Sequence, residues 1–566
     1  MERDQDSQNN PNAEEATSAP PATGHPLLIK VGLPAFLLAV VVVTSLLMGC
    51  WLRPQDKTTK EEDSAASFAG DLFKGWPKPE LAIVLSGQRH GYVLPCGCSR
   101  PQVGGLERLY NFVQTLRSNG WPVAGFDLGD IPQQQGPQGL PNVQGALKYV
   151  VSMKAYERIG FGAVSFGEYE AALPLNNAID RLVTDPDSPL LPIVAYNLKS
   201  KDRFLDRIKS WEIIESKGSA LKVGVLGAIG TADKDGIDQI IKQKDPSLEF
   251  ERMIATLPKA VEEMDAAKPN VKVLLYQGSV EHAALLAGHK DMPKFDIILC
   301  LGADEPPSRP EKIVGKTQII TVGHKGKYVG VVGVYKAEDA DKPFELRYQL
   351  VKLGEEYLTP EGKEKENPVL ALMEQYTKTL KDENKLSQFP HNRKHATQTD
   401  PKLKDAVYVG SAKCKGCHKE AYEVWEKHAE VSGHAHAYET LVEAKRPSLR
   451  QFDGECLVCH TIGFDQKSGW LDKGKPKFLA GVGCESCHGP GSLHVDDPDD
   501  VNNLGINDAI NPFKLRKGET EAQRVNRRIA SCVKCHDDEN DVNWGPGVDK
   551  WEKIAHQDPK HKKKTK

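Results

Sequence analysis

After Met373 this chain of 566 residues contains no methionine, although seven lie at or before that position. The C-terminal third therefore offers no methionine thioether to a metal, whatever its other side chains support. Long runs of one charge are missing too: 74 Lys+Arg stand against 78 Asp+Glu, a net charge of −4, and the one strongly basic stretch is KHKKKTK at the very end. Nucleic acid, which is bound through extended basic surfaces, is excluded as an expected partner. Charge-free apolar runs of membrane-spanning length are absent with one exception, VGLPAFLLAVVVVTSLLMGCWL, which spans Val31 to Leu52. A hydrophobic content of 39% excludes a disordered chain, and the length allows roughly two to four domains.

The exceptional run is long enough to cross a bilayer. Residues 27–52 read either as an uncleaved transmembrane anchor or as a lipoprotein signal ending at Leu47-Met48-Gly49-Cys50 with Cys50 lipidated. The length of the run and the bulky Trp51 favour the anchor, and buried core helices are rarely so uniformly apolar. Lys30 on one side and Arg53, Lys57 and Lys60 on the other leave the orientation open.

Residues 1–26 read as a disordered polar N-terminus and residues 53–79 as a linker. From Leu81 strand-like and helical patterns alternate to about residue 355. The strand-like runs are LAIVLS (81–86), VAGFDL (123–128), FGAVSF (161–166), LPIVAYN (191–197), LKVGVLG (221–227), VKVLLY (271–276), FDIILCL (295–301), TQIITVG (317–323) and VGVVGVY (329–335). Residues 80–355 are expected to form an α/β domain. A charged helix and a turn-rich polar linker (384–405) fill residues 356–405, a mainly α domain covers 406–560, and 561–566 is a basic tail.

Eight of the 12 cysteines fall in four copies of one pattern: CKGCH (Cys414, Cys417, His418), CLVCH (Cys456, Cys459, His460), CESCH (Cys484, Cys487, His488) and CVKCH (Cys532, Cys535, His536). C-x-x-C-H is the attachment pattern of a c-type haem. Two thiols one helical turn apart reach the two vinyl groups on one porphyrin edge, and the adjacent imidazole turns under the ring as proximal iron ligand. Paired zinc sites would use the cysteines but leave the histidine after every pair unexplained, and four C-x-x-C disulfides would be an odd set of redox centres. Four c-type haems are expected. Such haems are attached outside the cytoplasmic membrane, so everything after Leu52 is expected on its periplasmic side. Without methionine, histidine remains as distal ligand, which implies low potentials. His428, His434, His436, His494, His556 and His561 are available, the last inside a lysine run that suits solvent. Hydrophobic periodicity thins beyond residue 405, so the porphyrins are expected to supply part of that domain's core.

The stretch YVGSAKCKGCHKEAYEVWEKHAEVSGHAHAYETL, then CLVCHTIGF, then GVGCESCHGPGSLH, resembles the tetrahaem cytochrome c-554-type family, across about 407–560. The resemblance implies electron carriage in periplasmic nitrogen metabolism and distal iron ligands at His434, His494 and His556. It also implies that the haem on the second motif lacks a sixth ligand, although His428 or His436 could fill that place.

Residues 80–355 resemble the 5′-nucleotidase branch of the calcineurin-like metallophosphatases through the order of elements and degenerate motifs: GQRHG, DLGD, FGAVSFGEYE, PIVAYNL, LLYQGSVEHA and LCLGADEPP. The resemblance implies an α/β sandwich with two metals at its strand ends. In the positions it assigns, Gln88 replaces the first Asp while His90 and Asp130 are kept. Glu168, Tyr169, Gln277, Ala303 and Glu305 replace one Asn and four His. Two surviving ligand positions do not make a two-metal site, so hydrolysis is not expected. LPCGCSRPQVGG (94–105) falls in the loop after the first strand. A disulfide between Cys96 and Cys98 would be strained, so the loop reads as structural, with one cysteine paired to Cys300 or both free. A thiol or metal site with His90, Asp130 and Glu168 is the functional alternative.

The expected protein is a membrane-anchored, periplasmic tetrahaem cytochrome that relays electrons between redox partner proteins or quinol-linked membrane complexes. Its α/β domain serves as scaffold, docking or binding module, and no catalytic residue is assigned. An oxidoreductase acting at one open haem and a 5′-nucleotidase-like hydrolase with an appended cytochrome are the alternatives.

Overall fold

The computed structural model describes residues 68–541, apart from 69, 96–99, 174–190, 200–207, 232–235, 308–311, 339–342, 428–431, 472–476, 512–513 and 538–539. The expected membrane segment (27–52), Cys96, Cys98, His428, His556 and His561 lie outside the described residues. No helix among the described residues is long and apolar enough to cross a membrane.

All nine strand-like runs form strands. Leu81–Ser86, Val123–Asp127, Phe161–Ser165, Ile193–Val194 and Ile208–Lys209 run parallel in one sheet, which Tyr328–Lys336 and Phe344–Lys352 extend in antiparallel fashion beyond Leu81–Ser86. A second sheet has four parallel strands, Thr317–Ile320, Ile297–Cys300, Val271–Gln277 and Lys222–Ile229, flanked by antiparallel Lys312–Val314 and Trp211–Glu215. Leu81–Ser86 is buried at every position, the pattern of a strand covered on both faces. Its alternation divides the work. Leu81, Ile83 and Leu85 meet Phe126, Val225, Val273, Leu275 and Leu299 between the two sheets, while Ala82 and Val84 face an outer layer with Leu109, Phe112 and Tyr156. Helices Leu106–Ser118, Gly145–Ile159 and Pro368–Asp382 form that layer. Met253–Asp265 and Val280–Gly288 cover the other sheet. The result is the expected α/β sandwich, with its layers in the order α/β/β/α.

Segments read as linkers are packed. Within the expected 53–79 linker, Phe73 meets Trp121 edge-to-face and stacks on Phe112, and Trp76 stacks on Trp121. Pro368–Asp382 sinks Leu370, Met373, Tyr376 and Leu380 into the sandwich. In the expected 384–405 linker, Leu386 and Phe389 enter the core of the C-terminal half and Leu403 packs on Ala406 and Ile506. Pro368–Asp382 is the expected charged helix, whereas in the two linkers polar composition concealed the anchors, because apolar residues spaced without a period leave no helical or strand signal.

The C-terminal half is built from short helices, among them Ser411–Cys414, Lys419–Lys427, Ala437–Val442, Gly454–His460, Cys484–His488 and Glu521–Cys532. Its protein core gathers Tyr408, Leu441, Phe452, Leu457, Ile462, Phe464, Trp470 and Leu479. Leu140, from the sandwich, completes it. By contrast, Lys419–Lys427 buries no residue and Glu521–Cys532 buries only Arg528.

Candidate functional site

Each C-x-x-C-H motif occupies about one helical turn. The second and third form Gly454–His460 and Cys484–His488. In the first and fourth, the backbone N–H of His418 donates to the Cys414 carbonyl and that of His536 to the Cys532 carbonyl, each at 2.9 Å. The two thiols of a motif thus share a face, as attachment to one porphyrin edge requires.

The imidazoles are oriented through Nδ1. His460 Nδ1 lies 2.5 Å from the Ala437 carbonyl, His488 Nδ1 3.3 Å from the Ile510 carbonyl and His536 Nδ1 2.9 Å from Asp541 Oδ2. Among the distal candidates, His494 Nδ1 is 2.7 Å from Asn507 Oδ1. These acceptors require the proton on Nδ1, which leaves the Nε2 lone pair for a metal. Burial lowers His434 to about 4 and lowers His460 as well, so both rings are neutral and able to ligate near pH 7.

Two imidazole pairs meet across the fold. His434 Nε2 and His536 Nε2 face one another at 3.4 Å, and the rings of His418 and His494 lie 6.0 Å apart between centroids. The structure therefore matches His434 with the fourth motif and His494 with the first, a pairing the sequence did not supply. His434 is held by its carbonyl, which accepts from Val482 N at 2.8 Å just ahead of the third motif. His460 differs: among the described residues it contacts the Ala437 carbonyl and the Thr440 hydroxyl, and no imidazole lies against it. His436, a sequence candidate for that place, sits just before Ala437–Val442, where it is exposed.

Thiols of different motifs also meet. Cys414 and Cys484 share a hydrogen bond that raises the first thiol and lowers the second to about 7. Cys459 and Cys535 share another, which lowers Cys535. The first motif thus abuts the third and the second abuts the fourth. Glu485, inside the third motif, accepts from the backbone N–H groups of Val409, Gly410 and Gly491, which ties that motif to the extended entry at 407–410.

Imidazoles oriented through Nδ1, thiols in one-turn pairs, and helices that bury almost nothing of their own fit c-type haem. Cys414/Cys417, Cys456/Cys459, Cys484/Cys487 and Cys532/Cys535 would hold the porphyrins, with His418, His460, His488 and His536 on the irons.

The loop between Val123–Asp127 and Gly145–Ile159 clasps the second motif. Gln144 Nε2 donates to Tyr376 Oη (3.0 Å) and to Asp453 Oδ1 (2.9 Å), the residue that N-caps Gly454–His460. Gln133 Nε2 and Lys148 Nζ both bond Glu455. Gln138 Nε2 donates to Cys459 Sγ (3.0 Å) and Cys535 Sγ (3.3 Å). Sequence reasoning missed these residues, because IPQQQGPQGLPNVQG reads only as a polar turn-rich loop.

The strand-end cleft of the sandwich holds the other candidates. His90 stacks on Tyr169 at 4.3 Å, and His324, unassigned from sequence, lies 6.0 Å beyond it. Asp130 Oδ1 accepts from Tyr169 N, Glu168 accepts from Gln134, and Gln277 Nε2 donates to the Leu128 carbonyl. Glu170, also missed, accepts from the backbone of Asp130, Ile131 and Gly167. Burial raises Asp130 to about 7 and Glu170 to about 8. Among the described residues no group of three or more His, Cys, Asp or Glu is arranged to hold a metal ion. Of the two readings of the loop cysteines, pairing with Cys300 does not hold: Cys300 is a buried free thiol 3.7 Å from the Ile320 carbonyl, on a strand enclosed by apolar neighbours. A cleft of 850 Å³ lined by Gln88, His90, Ser279, Ala303, Lys312 and His324 remains open there.

Residues 413–489 match the family model described as cytochrome c554 and c-prime. Over 98 residues the chain is 39% identical to cytochrome c-554 of Nitrosomonas europaea, a match that covers 15% of this chain and 40% of that protein. The chain thus spans less than half of the curated relative. Among solved structures, a 5′-nucleotidase precursor from Thermus thermophilus is 16% identical with a TM-score of 0.41, covering 53% of this chain and 59% of that one. The calcineurin-like phosphoesterase YfkN from Bacillus subtilis is 17% identical with a TM-score of 0.40, covering 54% of this chain and 98% of that one.

Proposed function

We propose that this protein is a four-haem c-type cytochrome that relays electrons on the periplasmic side of a membrane to which its N-terminal segment anchors it. Redox proteins or quinol-linked membrane complexes are its partners, and the α/β sandwich is a scaffold without phosphatase activity. The observation that carries this reading is the pairing of two motif imidazoles with imidazoles from elsewhere in the chain, His536 with His434 and His418 with His494. Bound haem supplies reversible one-electron chemistry. The chain supplies position: Nδ1 partners fix the imidazoles, and the Cys414–Cys484 and Cys459–Cys535 contacts bring separate attachment edges together. The periplasmic side is supported by the extracytoplasmic chemistry of haem attachment.

Spectroscopy of the holoprotein tests the pairing. His434→Ala and His494→Ala should each turn one low-spin haem high-spin, and spectra that stay fully low-spin in both variants would overturn it. Phosphate release from nucleotides, above a heat-killed control and abolished by Asp130→Ala, would overturn the non-hydrolytic reading of the sandwich.

A second reading is favoured by the surroundings of His460, which meets no imidazole among the described residues: the second haem is open and reacts with a small ligand or substrate. The reduced protein should then bind carbon monoxide at about one site in four, and His434→Ala should add another. Absence of binding would leave the pure relay.

A further inference from the structure

Gln138 belongs to the sandwich by chain position, yet its side chain ends between two haem motifs. Its Nε2 donates to Cys459 Sγ at 3.0 Å and to Cys535 Sγ at 3.3 Å, sulfurs of the second and fourth motifs, 76 residues apart in sequence. A thioether sulfur keeps lone pairs, so attachment of haem leaves both acceptors in being.

The backbone is set to deliver this contact. Gln138 sits at φ 55°, ψ 24°, in the short turn Pro137–Gly139, followed by a Gly139 that is also left-handed at φ 76°. A left-handed conformation is unfavourable for a residue that carries a Cβ, and such outliers persist where the surroundings over-determine them. Here they do. Arg393 Nη1 donates to the Gln138 carbonyl at 2.7 Å, and the same guanidinium is fixed by Asp465 at 2.7 and 2.8 Å. Leu140, two residues on, is 1% exposed in the core of the haem half. The loop is therefore pinned at Gln138 itself and just beyond it, and the conformation aims the amide at the two sulfurs.

We propose that Gln138 is a positioning residue at the junction of the second and fourth haems, through which the sandwich raises the reduction potentials of both. The inference rests on the reading of the C-x-x-C-H motifs as haem sites. The positive end of the amide dipole faces the attachment edges, and a positive potential there stabilises the reduced, less positive haem. One side chain bonded to both sulfurs acts on the two haems together and leaves the first and third untouched.

The test uses the full-length holoprotein, with haem counted by intact mass and midpoint potentials read by optical redox titration in the wild type, Gln138→Leu, Gln138→Glu and Gln138→Gly. Leu removes the donor at similar volume, Glu replaces it with an acceptor and a negative charge, and Gly removes both donor and backbone strain. Two of the four potentials should fall in Leu, fall further in Glu, and fall in Gly about as far as in Leu even though Gly relaxes the backbone. The other two should stay in place. Four attached haems with unmoved potentials in all three variants would overturn the role of Gln138 alone, and so would four potentials that drift together in step with stability. A wild-type chain without haem on the second or fourth motif would overturn the underlying haem reading.

Discussion

His395 shows how one side chain is held to one protonation state. Its Nδ1 accepts from Thr397 N at 3.2 Å as an N-cap, and its Nε2 lies 3.4 Å from the Ser486 carbonyl inside the third motif. Burial lowers its pKa to about 4. A histidine whose folded pKa lies below its unfolded value of about 6.5 contributes stability that is complete above 6.5. That stability is lost as pH falls toward 4, because the unfolded chain takes up the proton first. The wild type should therefore lose up to about 3 kcal/mol between pH 6.5 and 4 from this group. His395→Asn, which keeps a capping acceptor, should show a flatter pH profile in denaturant titrations. Equal slopes in the two proteins would remove His395 from the account. At this scale the sequence was most informative where chemistry is written in spacing, as in the eight cysteines and their four histidines. It was silent on Glu170, Gln138 and His324, whose roles depend on neighbours brought from distant segments.

Helix Gly454–His460 is the element on which the two halves converge. Asp453 caps it and binds Gln144, Glu455 binds Lys148 and Gln133, and Cys459 meets Gln138. Lys148 and Glu455 are only 13% and 12% exposed at their side chains, so removal of one partner leaves a buried charge with diminished compensation. Lys148→Met should cost roughly 3–5 kcal/mol, while Lys148→Met with Glu455→Leu should recover most of it. Chemical denaturation of the two variants decides, and equal losses would mean that the pair is not desolvated as its burial implies. The nine strand-like runs were legible because a strand buried on both faces is a continuous apolar stretch. Phe344–Lys352 escaped notice because only Leu350 and Val351 of its nine residues are fully buried. Short helices of the haem half were legible only through their motifs, since Lys419–Lys427 and Glu521–Cys532 have almost no buried face to create a period.

Across the whole molecule, Ala65–Lys566 forms one compact unit, and its two halves share side chains rather than touching at a flat boundary. Leu140 leaves the sandwich to pack with Phe389, Leu457 and Trp470, and Arg446 reaches back from the haem half to the Thr359 carbonyl at 2.7 Å. Leu140→Ala should therefore cost roughly 2–5 kcal/mol and lower the thermal transition of the haem half, followed by haem absorbance. A melt in which only sandwich signals move would show the halves to be independent. No composition rule announced this union, because the joining loop and the 384–405 stretch are polar with scattered apolar anchors. Whether the four C-x-x-C-H motifs each carry haem is decided by the intact mass of the mature protein from a host that attaches c-type haem. The expected mass is that of the polypeptide plus four covalent haems. A mass of polypeptide alone, with about two zinc ions per chain, would contradict it.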